Sequence, residues 1–137
     1  MKIVLDTNVL ISGLLKPNNP PGQIVSMVSS GTLSLCYDSR LLWEYGEVLR
    51  RPQFQLGPMP ACALIDQIKA DGFLVAAKPL PVPLPDPADE MFLEVAIQGN
   101  ARCVVTGNLK DFPPSKRCGV PVMSPAEFLE ICRRELA

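Results

Sequence analysis

Ile3, Val4 and Leu5 form an uninterrupted apolar run that stops at Asp6, and this junction limits what the chain can become. A strand that is apolar at every position is buried on both faces, the condition of a parallel strand covered by helices on each side. After Thr7 and Asn8 come Val9, Leu10, Ile11, Leu14 and Leu15, spaced for a helix. The start of the chain therefore reads as strand, sharp turn, helix. In a parallel α/β sheet, ligands gather at the carboxyl ends of the strands. Asp6, placed there beside two small polar residues, is a candidate functional carboxylate. It could instead cap the helix, but Thr7 or Asn8 could serve that purpose as well.

The same alternation continues along the chain. Residues 16–22 form a loop ending in Pro-Pro, a helix-start signal, and Ile24, Val25 and Val28 follow at helical spacing. A short strand is expected over 33–37. A helix is expected over 40–51 with Ser39 as its N-cap, its apolar stripe carried by Leu41, Leu42, Tyr45, Val48 and Leu49. Glu44 falls at the edge of that stripe and can reach a cleft beside the sheet, or pair with Arg40 or Arg51. Trp43 and Glu47 point the other way. Residues 53–60 read as loop, 61–70 as helix, and 73–77 as a short strand. The proline-rich stretch 78–87 reads as an extended crossover over the core.

Asp86 and Asp89 open the next helix. Asp86, standing before Pro87, has the form of a cap. Phe92, Leu93 and Ala96 lie three, four and seven residues after Asp89, which puts Asp89 in the middle of the apolar face, while Glu90, Glu94 and Gln98 occupy the outer face. A carboxylate aimed toward the core side is costly without a partner. A buried strand over 102–106 then ends in Thr106-Gly107-Asn108, a second polar turn. The last short strand spans 120–123, and Ser124-Pro125 start a final helix with Glu127 in its first turn.

Composition narrows the chemistry. The 137 residues suit one domain, 1–137. No apolar run approaches the about 18 residues of a membrane span, and no signal peptide precedes the first strand, so a cytoplasmic protein is expected. The five cysteines are scattered and form no C-x-x-C pair, so neither a zinc framework nor a disulfide scaffold is present. The chain has no histidine, which excludes imidazole acid–base catalysis, Ser-His-Asp and Cys-His machinery, and His-ligated metals. Carboxylates, hydroxyls, Lys and Cys remain, and carboxylates suit hard cations such as Mg²⁺ or Mn²⁺. With a net charge of −1, any nucleic-acid partner must be held by a local patch.

Strands alternating with helices argue a three-layer α/β/α sandwich around a mostly parallel sheet. There Asp6, Asn108 and the helix mouth carrying Asp89 share one edge, and Glu44 leans in from the side. Carboxylates crowded in this way are tolerable with a cation between them. Such a site orients water for in-line attack on a phosphodiester.

KIVLDTNVLIS at the start, Glu44-Tyr45 with Val48 to Pro52, DPADEMFLEVA at 86–96 and CVVTGNLKDFP at 103–113 together resemble a PIN domain, most closely the toxin branch of toxin–antitoxin systems related to VapC. The resemblance implies strand order 3-2-1-4-5 and a Mg²⁺- or Mn²⁺-dependent, single-strand-selective ribonuclease. In it Asp6, Glu44 and Asp89 take the main acidic positions. Many PIN domains have a fourth Asp where this chain has Asn108, which offers a carbonyl oxygen without charge. Asp111 could compensate, and Asp86 is a further candidate ligand. Thr7, Asn8 and Thr106 are expected to orient the carboxylates, and Arg40, Arg50, Arg51, Lys110, Lys116 and Arg117 to meet phosphates of RNA. A homodimer and a cognate antitoxin are the expected partners, and Trp43 is placed either to stack a base or to sit in such an interface. A receiver-like phosphoacceptor domain would need a Lys after the last strand, and VPVMS at 120–124 lacks it. A PIN fold that only binds, without turnover, is the alternative that Asn108 favours.

Overall fold

The computed structural model describes residues 1–136. Five strands form one sheet of order β3-β2-β1-β4-β5: β1 (Lys2–Leu5), β2 (Ser34–Tyr37), β3 (Phe73–Leu74), β4 (Val104–Val105) and β5 (Val122–Met123). Every pairing is parallel, with Ile3 opposite Leu35 and Leu5 opposite Val105. The expected order is thus found, and the sheet is parallel throughout rather than mostly. Six α-helices connect the strands: α1 (Thr7–Leu15), α2 (Pro20–Ser29), α3 (Ser39–Leu49), α4 (Pro58–Asp71), α5 (Glu90–Gln98) and α6 (Pro125–Glu135). The chain runs outward from β1 to β3 and then jumps back to β4. Right-handed crossovers therefore put the connections of the two halves on opposite faces.

This arrangement explains why the central strands carry no polar residue until they end. Ile3, Val4, Leu5, Cys103, Val104 and Val105 are fully enclosed. Each lost apolar surface contributes about 25 cal/mol per Å². Tyr45, Phe92, Phe112 and Phe128 bring helices and loops onto the sheet as its largest fully buried side chains. Among the described residues, no helix is long and apolar enough to cross a membrane.

Local chemistry sets the helix starts. Asn19 caps α2 by accepting from the Gly22 N–H, with prolines in the first turn. Ser124 and Glu127 form a reciprocal capping box on α6. The cap of α3 is Asp38, whose Oδ1 accepts from the Leu41 N–H, and not Ser39, which is the first helical residue. The stretch 53–60 is only partly loop. Pro52–Phe54 forms a 3₁₀ turn and α4 already begins at Pro58, because proline's fixed φ suits both starts. A 3₁₀ turn over Pro87–Asp89 leads into α5, so that Asp89 stands at the join.

The proline-rich segment does cross the molecule in extended form, and glutamates of α5 hold it. The Leu80 N–H donates to Glu94 at 3.1 Å and the Leu84 N–H to Glu90 at 3.0 Å, with Leu84 buried beneath. Here the expected outer face of α5 needs correction. Glu94 is buried because this strap covers it, and Arg40 completes its partners at 2.8 Å.

Candidate active site

Strands β1 and β4 end side by side, and the register of Leu5 with Val105 makes Asp6 and Thr106 neighbours. The Asp6 N–H donates to the Val105 carbonyl at 3.0 Å, fixing the backbone at the strand end. The Thr106 hydroxyl donates to Asp6 Oδ2 at 2.8 Å while accepting from the Asn108 N–H at 3.0 Å. One fully buried hydroxyl thereby ties the turn after β4 to the carboxylate after β1. Asp6 stands at the N-cap of α1 but makes no side-chain capping hydrogen bond. Burial pushes its pKa up, and the Thr106 hydroxyl, followed by the nearby Asn8 and Thr7 amides, pulls it partly back. These amides act on the carboxylate as a local field, short of capping geometry.

Glu44 enters from α3. Its Oε2 accepts from the Thr7 hydroxyl at 2.5 Å, and it pairs with neither Arg40 nor Arg51. The next residue anchors the helix: the fully buried Tyr45 hydroxyl donates to the Leu5 carbonyl at 2.6 Å, one residue before Asp6. Burial, above all, raises the Tyr45 pKa well above its ordinary value, so the phenol remains a donor. Nothing in the sequence pattern singled out this hydroxyl, because Tyr45 reads simply as part of an apolar stripe.

Asp89 faces the pair from the start of α5. Its pKa is pushed up to about 6, first by burial and then by the negative charges of Asp6, Asp111, Asp86 and Glu44. Five carboxylates from four separate stretches of chain thus share one field. The ion pairs among the described residues join Arg40 to Asp38 and Glu94, Arg102 to Glu135, and Arg133 to Glu130, and none involves these five. Within the cluster Asp86 also has a structural duty, accepting from the Ala88 N–H at 2.9 Å. Asp111 closes the 3₁₀ turn Leu109–Asp111. Asn108 contributes its backbone N–H to Thr106, and Asn8 is exposed.

The donors are all oxygens, as a hard divalent cation requires. No three His, Cys, Asp or Glu side chains among the described residues are grouped closely enough to hold a metal ion by themselves. An ion such as Mg²⁺ keeps several waters and is commonly held by only one or two carboxylates. The residues suit such an ion in charge and donor type.

The basic residues are less concentrated than expected. Arg40 is consumed by Asp38 and Glu94, and its Nε and Nη1 each sit within hydrogen-bond distance of a carboxylate. Arg117 donates to the Phe112 carbonyl at 2.8 Å. Arg50 and Arg51 line a separate hollow of about 240 Å³ at the end of α3, bounded by Gly57 and Pro58. Lys110 is exposed directly beside Asp111, and Lys116 lies further along the same loop. Long basic side chains find partners that tertiary structure decides, which is why their sequence positions foretold little. Glu94 was missed for a related reason, since its burial depends on the strap and on Arg40, 54 residues away.

The family model of the PIN domain matches residues 2–110, a span that contains Asp6, Glu44, Asp86, Asp89, Thr106 and Asn108 and ends just before Asp111. No curated protein matches the chain.

Proposed function

The chain belongs to the PIN domain family, and on that premise we propose that it is a metal-dependent, single-strand-selective endoribonuclease, the toxin component of a toxin–antitoxin pair. The observation that carries the nuclease reading is the gathering of Asp89, Asp6, Asp111, Asp86 and Glu44 at one sheet edge, where burial first and their mutual charge second raise Asp89 to about 6 and no basic side chain is paired to any of them. Uncompensated negative charge of this kind costs stability, and a cation-dependent activity is what offsets the cost. The choice of RNA and of the toxin role is supported by the motif resemblance of the four sequence stretches.

Asp6 and Asp89 would hold Mg²⁺ or Mn²⁺. When bound, such an ion supplies positive charge for phosphoryl oxygens and lowers the pKa of an attached water. The protein's own part is positional. Thr106 fixes the Asp6 carboxylate in one orientation, and Thr7 does the same for Glu44. Glu44 is the group placed to align the attacking water and take up its proton. Asn108 can offer a neutral carbonyl oxygen, so one ion is favoured over two.

The test is cleavage of a labelled single-stranded RNA panel with Mg²⁺, Mn²⁺ or EDTA, using Asp6→Asn and Asp89→Asn as controls. Metal-dependent cutting abolished by both substitutions supports the reading. Cutting that survives both belongs to a contaminant and defeats it. Asn108 favours one competing reading, a PIN fold that binds without turnover, and calorimetric metal binding with no cutting would put that reading in its place.

A further inference from the structure

We propose that the groove beside Glu44 is a nucleobase subsite in which Trp43 stacks a base of the strand whose phosphate meets Asp6 and Asp89. This rests on the nuclease reading. The groove has a volume of about 690 Å³ and runs between α3 and the start of α5. Glu44 lines it and also belongs to the carboxylate cluster, so the groove adjoins that cluster. A nucleotide bound by its phosphate at the cluster has its base directed to a neighbouring surface, and this groove adjoins the cluster at Glu44.

Its walls suit a flat, uncharged ring. Trp43 is 69% exposed on the side of α3 turned from the core, and Pro87, Ala88 and Met91 supply apolar surface around the groove. The charged lining consists of Glu44, Glu90 and Glu94 against Arg40, three negative charges to one positive. Phosphates and acidic peptides are repelled by that balance, whereas a neutral base is not. Base–aromatic stacking is a general mode of single-strand binding. The oxygen Glu90 Oε1 makes no hydrogen bond among the described residues, its partner Leu84 using the other oxygen. It is a free acceptor for an exocyclic amino group. Cytosine, adenine and guanine carry such a group and uracil does not, so the subsite favours the first three.

Trp43 is the single tryptophan of the chain, so its fluorescence reports on this groove alone. The Asp6→Asn protein, expected not to cut, is titrated in Mg²⁺ with short unlabelled RNAs. One is cytidine-rich, one is uridine-only, and one is an abasic strand of equal length. Saturable quenching is expected with the cytidine-rich strand, weaker quenching with the uridine strand and none with the abasic strand. In the same background, binding of a labelled cytidine-rich strand read by anisotropy should weaken about 5- to 150-fold with Trp43→Ala. Trp43→Phe should restore most of it. In the cutting protein, Trp43→Ala should raise KM more than it lowers kcat.

RNA binding without change in Trp43 emission, or with undiminished affinity in Trp43→Ala, overturns the subsite and leaves the nuclease reading standing. Quenching by a wild-type protein that cuts no RNA sustains the subsite and defeats the nuclease. Emission that shifts to the blue as protein concentration rises, together with a sedimenting dimer abolished by Trp43→Ala, also overturns the subsite and assigns the groove to a second copy of the chain. Failure of every strand to bind the wild-type protein as well overturns both.

Discussion

Substituting Asp89 by Asn should make the metal-free protein more stable while destroying its response to metal. The Asp89 carboxylate makes no capping hydrogen bond, so the substitution removes the burial of a charge, its repulsion by the neighbouring carboxylates, and little else. Its displacement from the ordinary 3.8 to about 6 corresponds to about 3 kcal/mol at 1.36 kcal/mol per pH unit, as an upper bound. The group is only partly buried and water screens it, which brings the figure to about 1 kcal/mol. In EDTA at pH 7.5, Asp89→Asn should therefore raise Tm by about 2–4 °C. The sign of the pH dependence follows. A carboxyl whose folded pKa is raised stabilises the fold fully below its unfolded value near 3.9 and loses that contribution as pH climbs through about 6. The advantage of Asn should accordingly grow between about pH 4 and 6 and vanish below that window. With saturating Mn²⁺ the order reverses, because the wild type gains binding energy that the variant cannot. Thermal scans at several pH values, with and without Mn²⁺, test all of this. An Asp89→Asn protein less stable than the wild type in EDTA at neutral pH would refute the reasoning, since Asp89 would then be making a favourable structural contact.

Three further substitutions probe the scaffold. Tyr45→Phe leaves the buried Leu5 carbonyl without its donor and should cost about 1–2 kcal/mol in urea denaturation; unchanged stability would show that water takes the donor's place. Arg40→Ala strips Glu94 of its cation and should cost about 2 kcal/mol, less than a wholly enclosed pair because Arg40 is half exposed. Adding Glu94→Gln should recover part of that loss, as the amide oxygen still accepts from Leu80, and a double variant weaker than the single one would sink the idea. Ser124→Ala breaks the capping box and should lower stability by about 1 kcal/mol by thermal unfolding, with no effect on metal binding.

The features most legible in the sequence were those whose causes are local. Ile3 to Leu5 announce a doubly covered strand because no polar residue interrupts them, and Asp6 marks its end. Asp89 was conspicuous because a charge at the centre of an apolar stripe has no cheap explanation. Phe73–Leu74 was harder: the expected strand of 73–77 shrinks to two paired residues at the sheet edge, with both side chains exposed. Asp38 and Ser39 are both competent caps, and only the backbone of the preceding strand decides between them. Glu94, expected on an outer face, and Arg40, expected at phosphates, were misplaced, since helical periodicity says which way a side chain points but not what other segment comes to cover it. The Trp43 groove is likewise a property of two helices meeting, and only its exposed indole was visible beforehand.

The hydrogen bond between Thr106 and Asp6 spans 100 residues of chain. A ribosome delivers Asp6 100 residues before Thr106, so β1 waits for its second neighbour until that length of chain has been made. Contacts of such long sequence separation form late and slowly. A partial chain lacking β4 and α5 carries Asp6 and Glu44 but neither Asp89 nor the hydroxyl that orients Asp6. Translation thus holds the site in abeyance: an unfinished chain has no assembled carboxylate cluster.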